Sequence, residues 1–407
     1  MKAIRGSAFK GLPRASVDRP CGGARAPLQV CAGTLARTLA LRHRPGSPER
    51  FGIDARVCAR PMLGAESPCF DSEDARHRKD ATMKNGYPRD MIGYGKSWPT
   101  LRWPGGARLA VQFVINHEEG AEMNILHGDP CSESLLSEFG FAVPRNGERY
   151  KPVESQYEYG PRVGFWRLHK LFTERRIPIT VNAVAMALER NPEAVAAMVE
   201  AGWELSSHGY RWIDYHGIDE ALEREYIRKA IEIHVRMTGQ RPLGSFIGRR
   251  SENTVRLVAE EGGFVYTQDS YADEVPYWII ESGKPLLVVP YTADVNDHRF
   301  STTPGFDWGR PFFEYLRDAF DELYADSAQH PRMMQIGLHN RLVGRPGRIG
   351  HLRAFLDHAM KHEGVWFARG IDIANHWIAH FPAPEGEAGA APSKAGKGKG
   401  KKKAVRG

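Results

Sequence analysis

Strand-length apolar runs alternate with helix-period segments from residue 107 to residue 364, and few folds accommodate that order. ARLAVQFVIN (107–116), IPITVNAVA (177–185), WELSSHGY (203–210), RPLGSFIG (241–248), FVYTQDS (264–270), LLVVPY (286–291) and MMQIGLH (333–339) are dense in apolar and β-branched residues. Such unalternated runs predict strands buried on both faces. Between them lie amphipathic segments at 159–176, 191–202, 219–239, 251–263, 309–324 and 350–364. Asn191 and Pro192 predict a capped helix start, and Gly202 and Gly239 predict helix ends. Strand–helix alternation of this kind predicts a mainly parallel sheet, and this many units favour closure into a distorted (β/α) barrel.

In a parallel barrel, chemistry collects where strands end. Five of these ends deliver a titratable or cationic group. The first strand runs into Glu118 and Glu119, with Glu122 beyond; the third ends at His208. The next two end at Arg249–Arg250 and Asp269, and the last at His339. Taken singly, a Glu pair is a solvated loop, a histidine a hydrogen-bonded structural group and Asp269 a turn cap. Five on one rim predict a site. His117, His127 and His216 are read as structural. His208 invites a metal-ligand partner one helical turn on, but that residue is Trp212, which has an N–H and no lone pair for a cation. His216 is eight residues from His208, roughly 12 Å along a helix, too far for two nitrogens to share one ion.

The net charge of +7 belongs to the ends. Residues 1–82 carry 15 Lys/Arg against 8 Asp/Glu and residues 383–407 carry 7 against 2, leaving 83–382 at −5. The central region therefore gives no electrostatic case for specific nucleic-acid binding. The ends read as a disordered extension (1–82) and a disordered Lys-rich tail (383–407) around one catalytic domain, 83–382. Ordered-looking sequence starts at Met83, which reads as a translation start; an organelle transit peptide is the other reading of the Arg-rich segment. No C-x-x-C pair occurs among the five cysteines, so neither a zinc knuckle nor a disulfide framework is expected, and a reducing cytoplasm fits. No apolar run is long enough to span a membrane.

Residues 87–381 resemble the polysaccharide deacetylase (NodB-homology) superfamily, and within it the metal-independent allantoinase branch. The stretches YPRDMIGYG, EEGAEMNILHGD, HGYRWIDY, EEGGFVYTQDSYADEVPYW and LHNRLVGRPGR carry the resemblance. In the superfamily pattern an Asp-Asp pair supplies a base and a metal ligand, and a His-x-x-x-His pair completes the metal site. Here the pairs read Glu118-Glu119 and His208 with Trp212. The arginine motif falls on Arg249 and the final Leu-His motif on Leu338-His339. Two departures are GSFIGRR, where a more aromatic strand is expected, and Asn340, where a cysteine is expected.

The resemblance implies a cyclic amidohydrolase that opens (S)-allantoin to allantoate in purine catabolism, without a cofactor and as a homo-oligomer, a tetramer. Glu118 is the expected base and His339 the expected acid, with Glu119 beside them. His208, Trp212, Arg249 and Asp269 are expected to line the pocket. One carboxylate and one histidine are a poor transition-metal site. A closely spaced Glu pair is expected to raise one of its two pKa values, which suits a base working near neutrality. Two alternatives stand beside this reading: a metal-dependent deacetylase of N-acetylated amino-sugar polymers, and a non-catalytic barrel that binds a ligand.

Overall fold

The structure, a computed structural model, describes residues 87–139 and 142–384. Contacts divide the chain into Met1–Cys69 and Phe70–Gly407, and every described residue belongs to the second unit. The expected extension 1–82 and nearly all of the basic tail lie outside the described residues.

Strand β1 (Leu109–His117) is buried at all nine positions. A small antiparallel pair follows, β2 (Cys131–Ser132) with β3 (Arg145–Asn146). Helix α1 (Lys151–Tyr159) runs through a π-helical turn, Gly160–Gly164, into α2 (Phe165–Arg175). Next come β4 (Ile179–Ala183), α3 (Ala185–Arg190), α4 (Pro192–Glu200), β5 (Glu204–Ser207) and α5 (Glu220–Thr238). The chain continues with β6 (Gly244–Ser245), α6 (Thr254–Glu261), β7 (Tyr266–Thr267), β8 (Tyr277–Glu281) and β9 (Lys284–Val288). It ends with α7 (Gly309–Asp326), β10 (Arg332–His339), α8 (Pro346–Ala359), β11 (Val365–Phe367) and α9 (Gly370–His380). The expected caps are present: the Asn191 side chain accepts from Ala194 N–H, and Gly239 closes α5 at φ 75°.

The main sheet is ordered β10-β1-β4-β5-β6-β7-β9-β8, with β11 on β1. It is parallel except for the β8–β9 hairpin. That hairpin is absent from the sequence reading, although Ser282 and Gly283, both at positive φ, form the two-residue loop that favours it. The expected barrel is therefore a curled, open one: β10 and β8 are its two edges. The gap between them is bridged locally, by Met333 N–H donating to Glu274 O (2.9 Å) and Thr292 N–H donating to the Gln335 side chain (2.9 Å). One apolar core, with Phe113, Phe165, Phe172, Phe320 and Phe355 fully buried, packs α2, α7 and α8 onto β1, β4 and β10.

Strand pairing in β6 and β7 is shorter than the apolar runs predict. Past Ser245 the backbone amides of Ile247 and Gly248 turn to the Asp269 carboxylate at 2.9–3.0 Å, instead of continuing the ladder. Register then aligns the strand ends. Asn116 sits opposite His339 and Asn182, and Ala183 opposite Ser207. Glu118, His208 and His339 thus emerge on one rim.

Candidate active site

Glu118 is the hub. Its Oε1 lies 3.3 Å from His208 Nε2 and 3.3 Å from His339 Nε2, and its Oε2 lies 2.8 Å from Arg341 Nη2. Glu118, His208 and His339 expose 2, 3 and 4% of their surface, so electrostatic interactions among them are little screened by solvent.

Burial favours the neutral acid of Glu118, but the positive charges of His339 and Arg341 outweigh it and hold the carboxyl well below its usual range. This corrects the expectation that the Glu pair raises a pKa for the base. The two carboxylates do not face each other as free neighbours, because Arg341 ion-pairs with both.

Glu119 is turned to the other side. Its Oε2 accepts from Asn340 Nδ2 (3.1 Å), and its Oε1 accepts from Arg341 N–H (3.2 Å) and Nη1 (3.3 Å). The π turn makes room for it. A Cβ on Gly160 would stand 2.3 Å from Glu119 Oε1, and one on Gly164 would stand 1.9 Å from Asn340 O. Asn340, at the expected cysteine position, thus holds Glu119, and its amide also contacts His117 Nδ1 (3.2 Å).

His339 has a partner that sequence reasoning missed. Asp297, wholly buried, sits 2.6 Å from His339 Nδ1 and accepts from the His339 and Val343 amides at 2.8 and 3.0 Å. Burial alone would depress the imidazole pKa; Glu118 and Asp297 together raise it to about 9. His339 is therefore an imidazolium near neutrality, with its Nε2–H toward Glu118.

His208 Nδ1 donates to Phe246 O at 2.7 Å, because a carbonyl only accepts; this turns Nε2 to Glu118. Trp212 is fixed by its backbone N–H on Ala121 O (3.0 Å). Arg249 donates to Trp212 O (3.0 Å), pairs with Glu133 (3.2 Å) and places its guanidinium 4.3 Å from the Trp212 ring centre. The structure thus brings Glu118, His208 and His339 together. It sets Trp212 and Arg249 beside them and gives Asp269 to the backbone of the β6 loop. Asp297 and Arg341 are the two residues missed. Arg341 stands in the quoted LHNRL run, two residues past His339, and that place at a strand end was its only signal in the sequence. Asp297 opens a short 3-10 helix, Asp297–Phe300, in a polar stretch with none.

The family model for polysaccharide deacetylase matches residues 146–266. A polysaccharide deacetylase-type protein of Schizosaccharomyces pombe is 40% identical over 313 residues, 72% of this chain and 98% of that protein. The chain belongs to the polysaccharide deacetylase family. Among solved structures, PuuE allantoinase is 56% identical, with a TM-score of 0.72 over 73% of this chain and 99% of that one. A polysaccharide deacetylase-type protein of Pseudomonas aeruginosa is 55% identical with the same TM-score and coverage. This polysaccharide deacetylase-family chain is accordingly a hydrolase of mixed α/β fold.

The divalent ion implied by the family pattern does not fit these residues. Trp212 offers no ligand atom, Glu119 is engaged by Asn340 and Arg341, and a guanidinium already neutralises Glu118. Among the described residues, the group of three side chains able to share an ion is Asp321 on α7, His358 in the last turn of α8 and His362 in the turn that follows it.

Proposed function

We propose that the chain is a cyclic amidohydrolase that opens the hydantoin ring of (S)-allantoin to allantoate. The observation that carries it is Trp212, which replaces the second ligand next to an intact carboxylate–imidazole pair. The high identity to PuuE allantoinase over nearly the whole of that protein supports it.

Glu118 takes a proton from water as the water oxygen bonds to the ring carbonyl carbon. The tetrahedral adduct collapses, the C–N bond breaks, and the departing nitrogen takes a proton from the His339 imidazolium. That nitrogen lies between two carbonyls, so its charge is delocalised and the demand for Lewis-acid help is lower than for a simple amide. Asp297 keeps His339 charged and oriented. General acid–base contributions of this kind are worth roughly 10²–10⁴-fold each. His208, Trp212, Arg249 and Asp269 shape and hold the pocket, and the working form is a homo-tetramer.

The test is turnover by the full chain in ¹⁸O-water, with (S)-allantoin and, separately, N-acetylated amino-sugar oligomers. The expected result is allantoate with one ¹⁸O in its new carboxylate and no acetate release. Acetate from the oligomers with allantoin untouched would replace this reading with the deacetylase one; no turnover of either would leave a binding barrel.

A further inference from the structure

Arg341 is 1% exposed, and its guanidinium lies 4.4 Å from the Tyr157 ring centre and 5.1 Å from that of Trp212. Its Nη1 and Nη2 reach Glu119 and Glu118 at 3.3 and 2.8 Å. A buried guanidinium is stable only when paired and stacked, and the indole is the best aromatic platform for a cation.

We propose that Arg341 is the resident cation of this site: Trp212 and Tyr157 carry its guanidinium against Glu118 and Glu119, where it supplies the positive charge that a divalent ion supplies when a histidine stands at 212. Trp212 then has two effects. It removes a ligand lone pair, and it provides a π face that an imidazole does not match. The Nη2 group pairs with Glu118 Oε2 at 2.8 Å and carries two N–H bonds, so one donor remains beyond that pair. It is therefore available to an oxygen of a bound molecule. In ring opening that oxygen is the developing oxyanion, a role that rests on the proposed function. The charge argument does not depend on it.

The consequence is that restoring the histidine alone does not restore a metal site, because the guanidinium still holds the cation position. Zinc bound per folded chain is measured by equilibrium dialysis and elemental analysis. The chains are the 407-residue chain and its Trp212→His, Arg341→Met and Trp212→His/Arg341→Met variants. All carry His362→Ala to remove the Asp321–His358–His362 group. The expected result is about one tight zinc gained by the double variant alone, with His208, the new imidazole and a freed carboxylate as ligands. Equal zinc uptake by Trp212→His with Arg341 intact overturns the proposal, as does tight zinc in the unsubstituted site or a folded double variant that takes none. If Met at 341 prevents folding, Trp212→His/Arg341→Gln is read the same way, since glutamine keeps donors for Glu119 without the charge. The titration uses no substrate, so its failure leaves the ring-opening reading standing, and a failure to open allantoin leaves the titration decisive.

Discussion

At the scale of single residues, the site works by opposed charges held out of water. Glu118 stays ionised because His339 and Arg341 are positive, and His339 stays positive because Glu118 and Asp297 are negative. Glu118→Gln keeps shape and removes the proposed base, so kcat is expected to fall at least about 10²-fold, and His339→Ala likewise. A near-native Glu118→Gln with a collapsed Glu119→Gln would reverse the assignment within the pair. The pH profile follows from the same charges. His339 acts as an acid only while protonated, so kcat/KM is expected to decline as pH rises through about 9. Asp297→Asn removes an anion that stabilises the imidazolium. The imidazole pKa then drops, and the alkaline limb moves to lower pH. An unmoved limb in stopped-assay profiles would show that another group sets it.

At the scale of elements, two local departures from regular structure shape the rim. The π turn between α1 and α2 brings Gly160 against Glu119; such turns are often found at functional sites. Gly160→Ala would drive a methyl group into the carboxylate. Overpacking of this kind costs about 1–3 kcal/mol, so a lower midpoint of urea unfolding is expected, together with reduced turnover as Glu119 shifts off Arg341. Wild-type stability and rate in that variant would show that the turn yields without cost. The second departure is the early end of β6, where Asp269 draws off two backbone amides. Burial raises the Asp269 pKa against those hydrogen bonds. Its part in the site is to fix the loop that presents Phe246 O to His208, and Asp269→Ala is expected to weaken turnover through that loop.

At the scale of the whole molecule, the sheet is open between β10 and β8, and the reactive groups stand on β1, β5 and β10 and the loops beyond them. The charge excess lies elsewhere, in 1–82 and 383–407. A chain trimmed to residues 83–382 is expected to fold and to keep its turnover, measured by soluble yield and steady-state rate. A large loss in either would assign a terminal segment to the catalytic unit. Among the described residues no helix is long and apolar enough to cross a membrane.

Most of the parallel sheet and six of the helices were legible in the sequence, because buried strands, amphipathic periods, Asn191 and Gly239 are local signals. So were Glu118, His208 and His339, since a strand-end position follows from where an apolar run stops. The pairing of Asp297 with His339 was not legible: it joins the first residue of a short 3-10 helix to the end of β10, 42 positions away, and only the tertiary fold brings them to 2.6 Å. Nor was the direction of the Glu118 shift. Two adjacent glutamates predict mutual repulsion, and the answer changes only when Arg341, 223 positions from Glu118, is packed between them. Local sequence determined which groups reach the rim. Sheet register and long-range packing decided which charges touch, and in a buried site contact between charges sets protonation.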